Sequence, residues 1–353
     1  MWKNAVRFAI FSERKEVLFL TIKDISAKTG YSVGTVSRVL NNQPNVSEKA
    51  RKAILEAARK YGFQLNTNAK QLKQQHSNVI LVVVKGTSNE LFGELIEVIQ
   101  SRLANSQYSL HVDYMDEDAN EVLRAVQLCR EKKPRGIFFL GGNRHNFQTD
   151  FSKIDIPCVL VTNNAEALKY PNLSSVSTDD RAAARCAMET LLSLGHRQFA
   201  IIGGDRRVSD TSRLRYEGSV APLREQGIPF DPEKDYCGVR FSYQDGYRAT
   251  EQLLRTGRRF TAIFAVADVM AIGAIRALWD HGLRVPEDVS VMGVDGLPLG
   301  NYLVPQLSTI SQSSHHMATR SVQILLSAIE QDAPAVHEII PYTLYSREST
   351  RKI

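Results

Sequence analysis

The sequence predicts a mixed α/β protein, in which a small all-α head precedes a large domain of two doubly wound α/β lobes. Three short amphipathic segments occupy residues 21–62, whereas seven short apolar runs alternate with helical stretches over residues 79–294. The chain has 353 residues, of which 43% are hydrophobic and 23% are charged. This composition is ordinary for a globular chain with two or three hydrophobic cores.

Residues 1–20 form an extension ahead of the first patterned segment. Its apolar pieces, VRFAIF and VLFLTI, are separated by charges and are too short for a signal peptide or a membrane span. Residues 13–16, Glu-Arg-Lys-Glu, can be encoded by purine-rich codons that resemble a ribosome-binding site. We therefore hypothesise that the native chain begins near Leu18 to Leu20, and we expect a cytoplasmic protein with no membrane partner.

Residues 21–65 are predicted to form a helix-turn-helix head. In the first segment, apolar residues are spaced to bury one face of a short helix. Gly30 can then adopt the positive φ of a tight turn, and Ser32 can cap the helix that follows. A third amphipathic helix is predicted to begin after Ser47 and to end at Gly62.

The second helix, predicted from about Val33 to Leu40, suits insertion into a DNA major groove. It turns apolar side chains inward and leaves small polar residues and Arg38 outward. Residues 1–76 contain 14 Lys and Arg against 5 Asp and Glu, whereas the rest of the chain contains 30 against 33. Because the basic excess lies entirely in the amino-terminal part, we predict that double-stranded DNA is its partner.

Residues 66–77 are predicted to be a hinge between the head and the large domain. The segment is too short and too polar to form a stable helix in isolation, so a flexible linker is expected in the free protein. On DNA we expect it to fold and to insert Leu72 into the minor groove as a wedge.

The large domain is predicted to contain parallel sheets that are covered on both faces, because its strand-like runs are continuously apolar. Seven such runs across about 215 residues favour two doubly wound lobes over one sheet. The runs are residues 79–84, 109–115, 136–141, 158–162, 199–204, 262–267 and 289–294.

No catalytic or metal-binding pattern is present in the sequence. The four cysteines are widely spaced without a C-x-x-C pair, no phosphate-binding glycine motif occurs, and no histidine is paired with a nucleophile. We therefore expect reduced thiols, no enzymatic activity, no cofactor and no metal.

From Thr21 to Thr350 the chain resembles bacterial transcription regulators of the LacI/GalR family. The motifs that carry this resemblance are TIKDI, TVSRVLN, SLGHRQFAIIGG, RYEG, VPEDVSVMGVD, PQLSTI and SREST. The resemblance implies a head and hinge helix joined to two periplasmic-binding-protein-like lobes, between which the chain crosses three times. It places the N-lobe at about 78–175 and 309–338, and the C-lobe at about 176–308 and 339–353.

The resemblance also implies which residues contact DNA. Val33, Gly34 and Arg38 are the implied base readers, and Arg38 can offer two donors to guanine. Further contacts with phosphates or the minor groove are implied at Thr21, Ser32, Thr35, Ser37, Asn41, Asn66, Ala69, Lys70 and Leu72.

A ligand site is implied between the lobes, where the RYEG motif is expected to place Arg215 in the first turn of a helix and Asp295 ends a strand. The implied contact residues are Asn89, Phe92, Thr162, Arg215, Ala267 and Asp295. Thr162 and Ala267 depart from the residues common in the family, which leaves the ligand open between a sugar and a sugar derivative. A purely structural Arg215–Asp295 salt bridge is the alternative.

The function implied by the resemblance is sequence-specific repression by a homodimer. Such a repressor would bind a pseudo-palindromic operator and would be released by a small ligand, most simply a sugar or sugar derivative. A corepressor-dependent or partner-protein-controlled regulator is the alternative, and a solute-binding protein is a more distant one.

Overall fold

The computed structural model describes residues 21–40, 44, 46–61, 63 and 77–353. The chain divides into two compact units between residues 75 and 76. The predicted extension and all of the predicted hinge except Ser77 lie outside the described residues. Ser77 is buried in the large unit, where its hydroxyl donates to the Lys132 carbonyl oxygen at 2.7 Å. The predicted boundary at residue 77 is therefore too late, because this residue is already anchored to the large domain.

The head contains three helices: α1 (Ile22–Thr29), α2 (Val33–Leu40) and α3 (Glu48–Lys60). Thr21 caps α1 in a reciprocal capping box, and Gly30 ends the helix with a φ of 70°, as the predicted turn requires. The core of the head consists of buried side chains from all three helices: Ile25, Val36, Val39, Ala50 and Ile54. Their burial leaves the opposite face of α2 on the surface.

The large unit begins with the first α/β lobe. Its elements are β1 (Val79–Lys85), α4 (Glu90–Leu103), β2 (Ser109–Met115), α5 (Glu121–Lys132), β3 (Gly136–Leu140), α6 (Arg144–Asp150), β4 (Cys158–Val161) and β5 (Leu173–Ser177). Alternate residues of β1 enter two cores: Ile80, Val82 and Val84 face one, whereas Leu81 and Val83 face the other. The sheet is therefore covered on both sides.

The second lobe follows with the same alternation. Its elements are α7 (Asp180–Ser193), β6 (Phe199–Gly203), α8 (Asp210–Glu225), α9 (Pro232–Asp235), β7 (Tyr236–Gly238), α10 (Tyr243–Arg255), β8 (Ala262–Ala265), α11 (Asp268–Asp280), β9 (Ser290–Asp295) and β10 (Ser308–Ser311). The chain then returns to the first lobe as α12 (Ser314–Gln331) and β11 (His337–Ile339), and to the second as β12 (Thr343–Tyr345).

The two six-stranded sheets have corresponding strand orders, β11-β5-β4-β3-β1-β2 and β12-β10-β9-β8-β6-β7. All strand pairs are parallel except β10 with β12. Because the carboxyl ends of parallel strands meet at one edge, each lobe offers its loops on that edge for a binding site.

The three lobe boundaries implied by the resemblance each cut a strand. The boundary after residue 175 falls inside β5, the one after 308 inside β10, and the one after 338 inside β11. Pairing assigns all of β5 and β11 to the first sheet and all of β10 to the second. The corrected crossings follow the ends of these strands, since a strand that is paired along its length cannot change sheets within it.

Candidate functional site

The outward face of α2 is the candidate nucleic-acid surface of the head. Val33, Gly34 and Arg38 are exposed, whereas Thr35 and Ser37 are half-buried. Ser32 caps the helix, because its hydroxyl accepts from the Thr35 amide at 3.2 Å. The five predicted contacts on α2 therefore lie on one helix whose opposite face is fixed by the core of the head.

The remaining predicted DNA-contacting residues fall into two groups. Thr21 is exposed as the N-cap of α1, and its side chain pairs with Asp24. Asn41, Asn66, Ala69, Lys70 and Leu72 lie outside the described residues.

In the large unit, a cleft of about 910 Å³, including its open mouth, lies between the two sheets at the carboxyl ends of their strands. Lys85, Thr162 and Asp295 reach it from the ends of β1, β4 and β9. The cleft is lined by five of the six predicted ligand residues: Asn89, Phe92, Thr162, Arg215 and Asp295. Asn89 also accepts from the Leu91 amide at 3.1 Å, as the N-cap of α4.

Arg215 and Asp295 lie at the floor of the cleft within a buried charge network. The Arg215 Nε donates to Asp180 Oδ1 at 2.7 Å, and its Nη1 donates to the Val266 carbonyl oxygen and, at 3.4 Å, to Asp295 Oδ1. Burial raises the pKa of Asp180, and Arg215 opposes that rise. The guanidinium is therefore held by the protein itself, mainly through Asp180.

Asp295 and Gln312 form a second polar pair in the same floor. The Gln312 amide Nε2 donates to Asp295 Oδ1 at 2.6 Å. Asp295 Oδ2 and Gln312 Oε1 are buried, and neither accepts a hydrogen bond from the residues that the structure describes. Burial raises the pKa of Asp295 to about 7, and Arg215 opposes this rise. A ligand donor that reached either oxygen would satisfy a buried acceptor.

Two predictions about the cleft are wrong. Arg215 lies in the second turn of α8, not in its first, because the helix begins at Asp210. Ala267 does not line the cleft: its side chain is fully buried, and the residue is the N-cap of α11. The neighbouring Asp268 is not that cap, since its carboxylate accepts from the Gly296 and Leu297 amides, both at 2.8 Å.

The structure also brings polar residues to the cleft that the sequence did not predict. Gln312 follows β10, whose end is paired with Asp295 at Ser311, so only the strand register brings the two together. Lys85 ends β1 and pairs with the buried Glu121 at 2.7 Å. Its position at a strand end is a signal that sequence reasoning could have used, whereas the register of β10 is not readable from the chain.

Direct contacts between the lobes occur at the cleft. The Asn163 Nδ2 of the first lobe donates to Thr211 Oγ1 of the second at 3.2 Å. At the mouth, Arg240 of the second lobe pairs with a carboxylate cluster of the first lobe, reaching Asp116 at 3.0 Å and also Glu117 and Asp118. These contacts hold the two edges of the cleft together.

Two further site types were sought in the described part of the chain. Its His, Cys, Asp and Glu side chains include no group of three or more that could hold a metal ion. None of its helices combines the length and apolar character needed to cross a bilayer.

A helix-turn-helix head followed by a two-lobed domain with a cleft defines a class of proteins that combine DNA binding with small-molecule binding. A family model described as bacterial regulatory proteins, lacI family, matches residues 21–66, and one for a periplasmic binding protein-like domain matches residues 188–350. The chain is 33% identical over 335 residues to the HTH-type transcriptional regulator MalR of Clostridium butyricum, covering 94% of this chain and 99% of MalR. The chain therefore belongs to the lacI family and is a DNA-binding transcriptional regulator.

Solved structures give the same fold. The lac repressor dimer bound to operator and the anti-inducer ONPF is 25% identical, with a TM-score of 0.75 over 94% of this chain and 99% of that chain. A LacI family regulator from Enterococcus faecium with bound ribose is also 25% identical, with a TM-score of 0.67 over 78% of this chain and 99% of that chain.

Proposed function

We propose that the protein represses transcription from a pseudo-palindromic operator and is released when a small ligand binds its cleft. The observation that carries this proposal is the cleft floor, where buried acceptor oxygens of Asp295 and Gln312 lack partners among the described residues. The same chain contains a DNA-binding head and a cleft with unsatisfied acceptors. This combination supports a protein whose affinity for DNA changes when a ligand binds. The site of action is the cytoplasm, at chromosomal DNA, and no catalytic step is involved.

The operator is read by a homodimer in this proposal. Two heads related by two-fold symmetry bind two half-sites. Tyr302 and Val304 support a protein contact, because they are 82% and 95% exposed in the loop between the 3₁₀ turn Pro298–Asn301 and β10. Large apolar side chains at such exposure favour burial by a second copy. Sedimentation of the wild type and of Tyr302→Glu tests this contact.

Residues 66–76 couple the two functions. On the operator, Leu72 enters the minor groove, and ligand-dependent movement of the lobes changes the spacing of the two hinges. Reciprocal linkage of about 1–3 kcal/mol between ligand and operator binding is typical of such coupling. Leu72→Ala is then expected to weaken specific binding while salt-sensitive nonspecific binding persists.

The ligand is a sugar or sugar derivative. The lining supports this class because it combines Phe92 and Phe241, as apolar surfaces, with several polar side chains. The relative from Enterococcus faecium binds ribose. A corepressor-dependent regulator or one controlled by a protein bound to its lobes is the second candidate, and it predicts operator binding that increases when the cleft is occupied.

Selection of bound sequences from a random duplex pool tests the proposal. Purified full-length protein at near-physiological salt is expected to enrich a pseudo-palindrome, and addition of the inducing sugar is expected to release it. Enrichment only in the presence of ligand would establish the corepressor alternative instead. Binding that vanishes with salt and selects no sequence, with or without ligand, would contradict sequence-specific regulation.

A further inference from the structure

The charge of the cleft restricts which ligands can occupy it. Two basic side chains, Lys85 and Arg215, line the cleft, together with four acidic ones. The acidic lining residues are Glu117, Asp118, Asp205 and Asp295. An anionic ligand would need a basic group that is free to pair with it, so the partners of the two cations decide the question.

Lys85 is already neutralised within the first lobe. Its ammonium pairs with Glu121, whose side chain is fully buried, and also donates to the Ala119 carbonyl oxygen. The same Glu121 carboxylate accepts from the Asn143 amide at 2.6 Å and from Asn146 Nδ2 at 2.8 Å. Glu121 is thus fixed by the N-cap and first turn of α6, and its carboxylate in turn fixes the Lys85 ammonium.

Arg215 is neutralised within the second lobe in the same way. Its side chain is 3% exposed, and it faces the carboxylates of Asp180 and Asp295. The Asp180 carboxylate alone balances the guanidinium charge, and ionisation of Asp295 as well makes the floor of the cleft net negative. A phosphate or carboxylate brought there would have to displace a buried ion pair, which is costly.

The mouth of the cleft adds negative charge. Glu117 and Asp118 lie there on the first lobe with Asp116, and Arg240 is their cationic partner. Asp205 lies on the second lobe and pairs with an exposed arginine outside the lining, Arg207. Because three carboxylates face the single Arg240 guanidinium, the mouth has an excess of negative charge, which repels anionic ligands.

We propose that the cleft selects a polyhydroxylated ligand without negative charge and excludes sugar phosphates and sugar acids. The unpartnered acceptors of Asp295 and Gln312 require hydroxyl or amine donors, which neutral and aminated sugars provide. This inference rests on the proposed ligand role of the cleft and names the charge class of its occupant.

The test compares neutral sugars with their anionic counterparts on the full-length wild type. Thermal shift and calorimetry would use ribose with ribose 5-phosphate, cellobiose with cellobionate, and maltose with maltobionate. At least one neutral member is expected to bind, and at least about tenfold more tightly than its anionic counterpart, which corresponds to about 1.4 kcal/mol. An anionic member that binds as tightly as its neutral counterpart, or failure of every neutral sugar to bind, would overturn the inference.

Variants identify the residues responsible. Glu121→Gln releases Lys85 and is expected to strengthen binding of the anionic counterpart severalfold relative to the neutral sugar. If that variant does not fold, Asp118→Asn removes a charge at the exposed mouth and is expected to shift the same ratio in the same direction. Asp288→Asn is the matched control, because Asp288 is also an exposed carboxylate in an arginine pair but lies outside the cleft.

Unchanged ratios in the folded cleft variants would overturn the assigned roles. Operator selection with the same protein separates this inference from the proposed function. If the protein enriches an operator and an anionic sugar releases it, the charge selectivity is contradicted but the proposed regulator function stands. Binding of a neutral sugar without any enriched operator would contradict the proposed regulator function and leave the charge selectivity intact.

Discussion

Arg38 is exposed on the outward face of α2, where the inner face is anchored by Val36 and Val39. A guanidinium on a rigid helix can offer two parallel donors to guanine, which gives both affinity and base preference. We therefore propose Arg38 as a base-reading side chain of the head.

Arg38→Ala is therefore expected to cost about 1–3 kcal/mol of operator binding and to relax preference at one base pair of each half-site. Competition binding with operator variants measures both effects. Arg59→Ala is the control, because Arg59 is an exposed arginine in the last turn of α3. Loss of affinity without any change in base preference would assign Arg38 to phosphate contact instead.

Asp295 gives the large domain a predictable pH dependence. Its pKa is raised by burial to about 7, above the value of about 3.9 expected in an unfolded chain. The favourable contribution of the protonated carboxyl is complete below the unfolded pKa and is lost as the pH rises through about 7.

Asp295→Asn cannot ionise, so its free energy of unfolding should rise relative to the wild type as the pH increases from about 4 to about 7. The change is expected to be on the order of 1 kcal/mol or more, because each unit of pKa corresponds to about 1.4 kcal/mol. Denaturant titrations across this range measure it, with Asp288→Asn as an exposed control. A difference that stays constant with pH would show that Asp295 does not titrate there.

At the scale of elements, the turn between α1 and α2 requires a left-handed backbone conformation at Gly30. Gly30 has a φ of 70°, and a Cβ built on it would meet no atom within 4 Å. Gly34 lies inside α2, where an added Cβ would approach nothing closer than Ser32 Oγ at 3.9 Å. The two glycines thus differ in conformation and not in available space.

Gly30→Ala should destabilise the head by about 1–2 kcal/mol, because an L-residue is strained in the left-handed region. Gly34→Ala should stabilise it by about 0.5–1 kcal/mol, because alanine loses less conformational freedom in a helix. Hydrogen exchange of the α1 and α2 amides in the full-length protein measures both. Equal effects of the two substitutions would contradict the assignment of this turn.

The sequence predicted the elements that have a strong apolar pattern and missed those that do not. All three helices of the head and the seven apolar runs appear in the structure, with ends that differ by up to two residues. β5 was missed because its sequence, LSSVS, contains three serines, although all five of its residues are buried. Ser174 and Ser175 are satisfied there by Val336 and His337, which follow more than 150 residues later.

The residues of the cleft were also predicted only in part. The family resemblance implied Asp295 and Thr162 as ligand contacts, and both line the cleft. Gln312 and Glu121 were not identified, because their importance arises from partners that are brought close by sheet pairing and by buried contacts. The resemblance also placed Ala267 in the cleft, but its side chain is buried in the core.

At the scale of the whole molecule, Arg240 links the two edges of the cleft. It contacts three consecutive carboxylates, Asp116, Glu117 and Asp118, in the other lobe. All four side chains retain solvent access, so added salt should weaken the contact.

Arg240→Gln is expected to favour an open arrangement of the lobes and to enlarge the radius of gyration of the ligand-free protein at low salt. Small-angle X-ray scattering measures this change, and high salt should produce the same enlargement in the wild type. Arg248→Gln is the control, because Arg248 pairs with Asp245 of its own helix. Identical scattering of Arg240→Gln and the wild type would show that the Arg240 contact does not keep the two lobes closed.

The three crossings between the lobes have a consequence for protein engineering. The first sheet includes β11 and is covered by α12, both of which follow the entire second lobe in the chain. A fragment that ends after β5 would therefore lack a strand and a covering helix of its own lobe. Exchange of the second lobe between relatives needs three joints and exchange of the first lobe needs four, whereas exchange of the whole region from residue 77 onward needs one. New combinations of operator and ligand are thus most simply built by recombination at the segment that joins the head to the large unit.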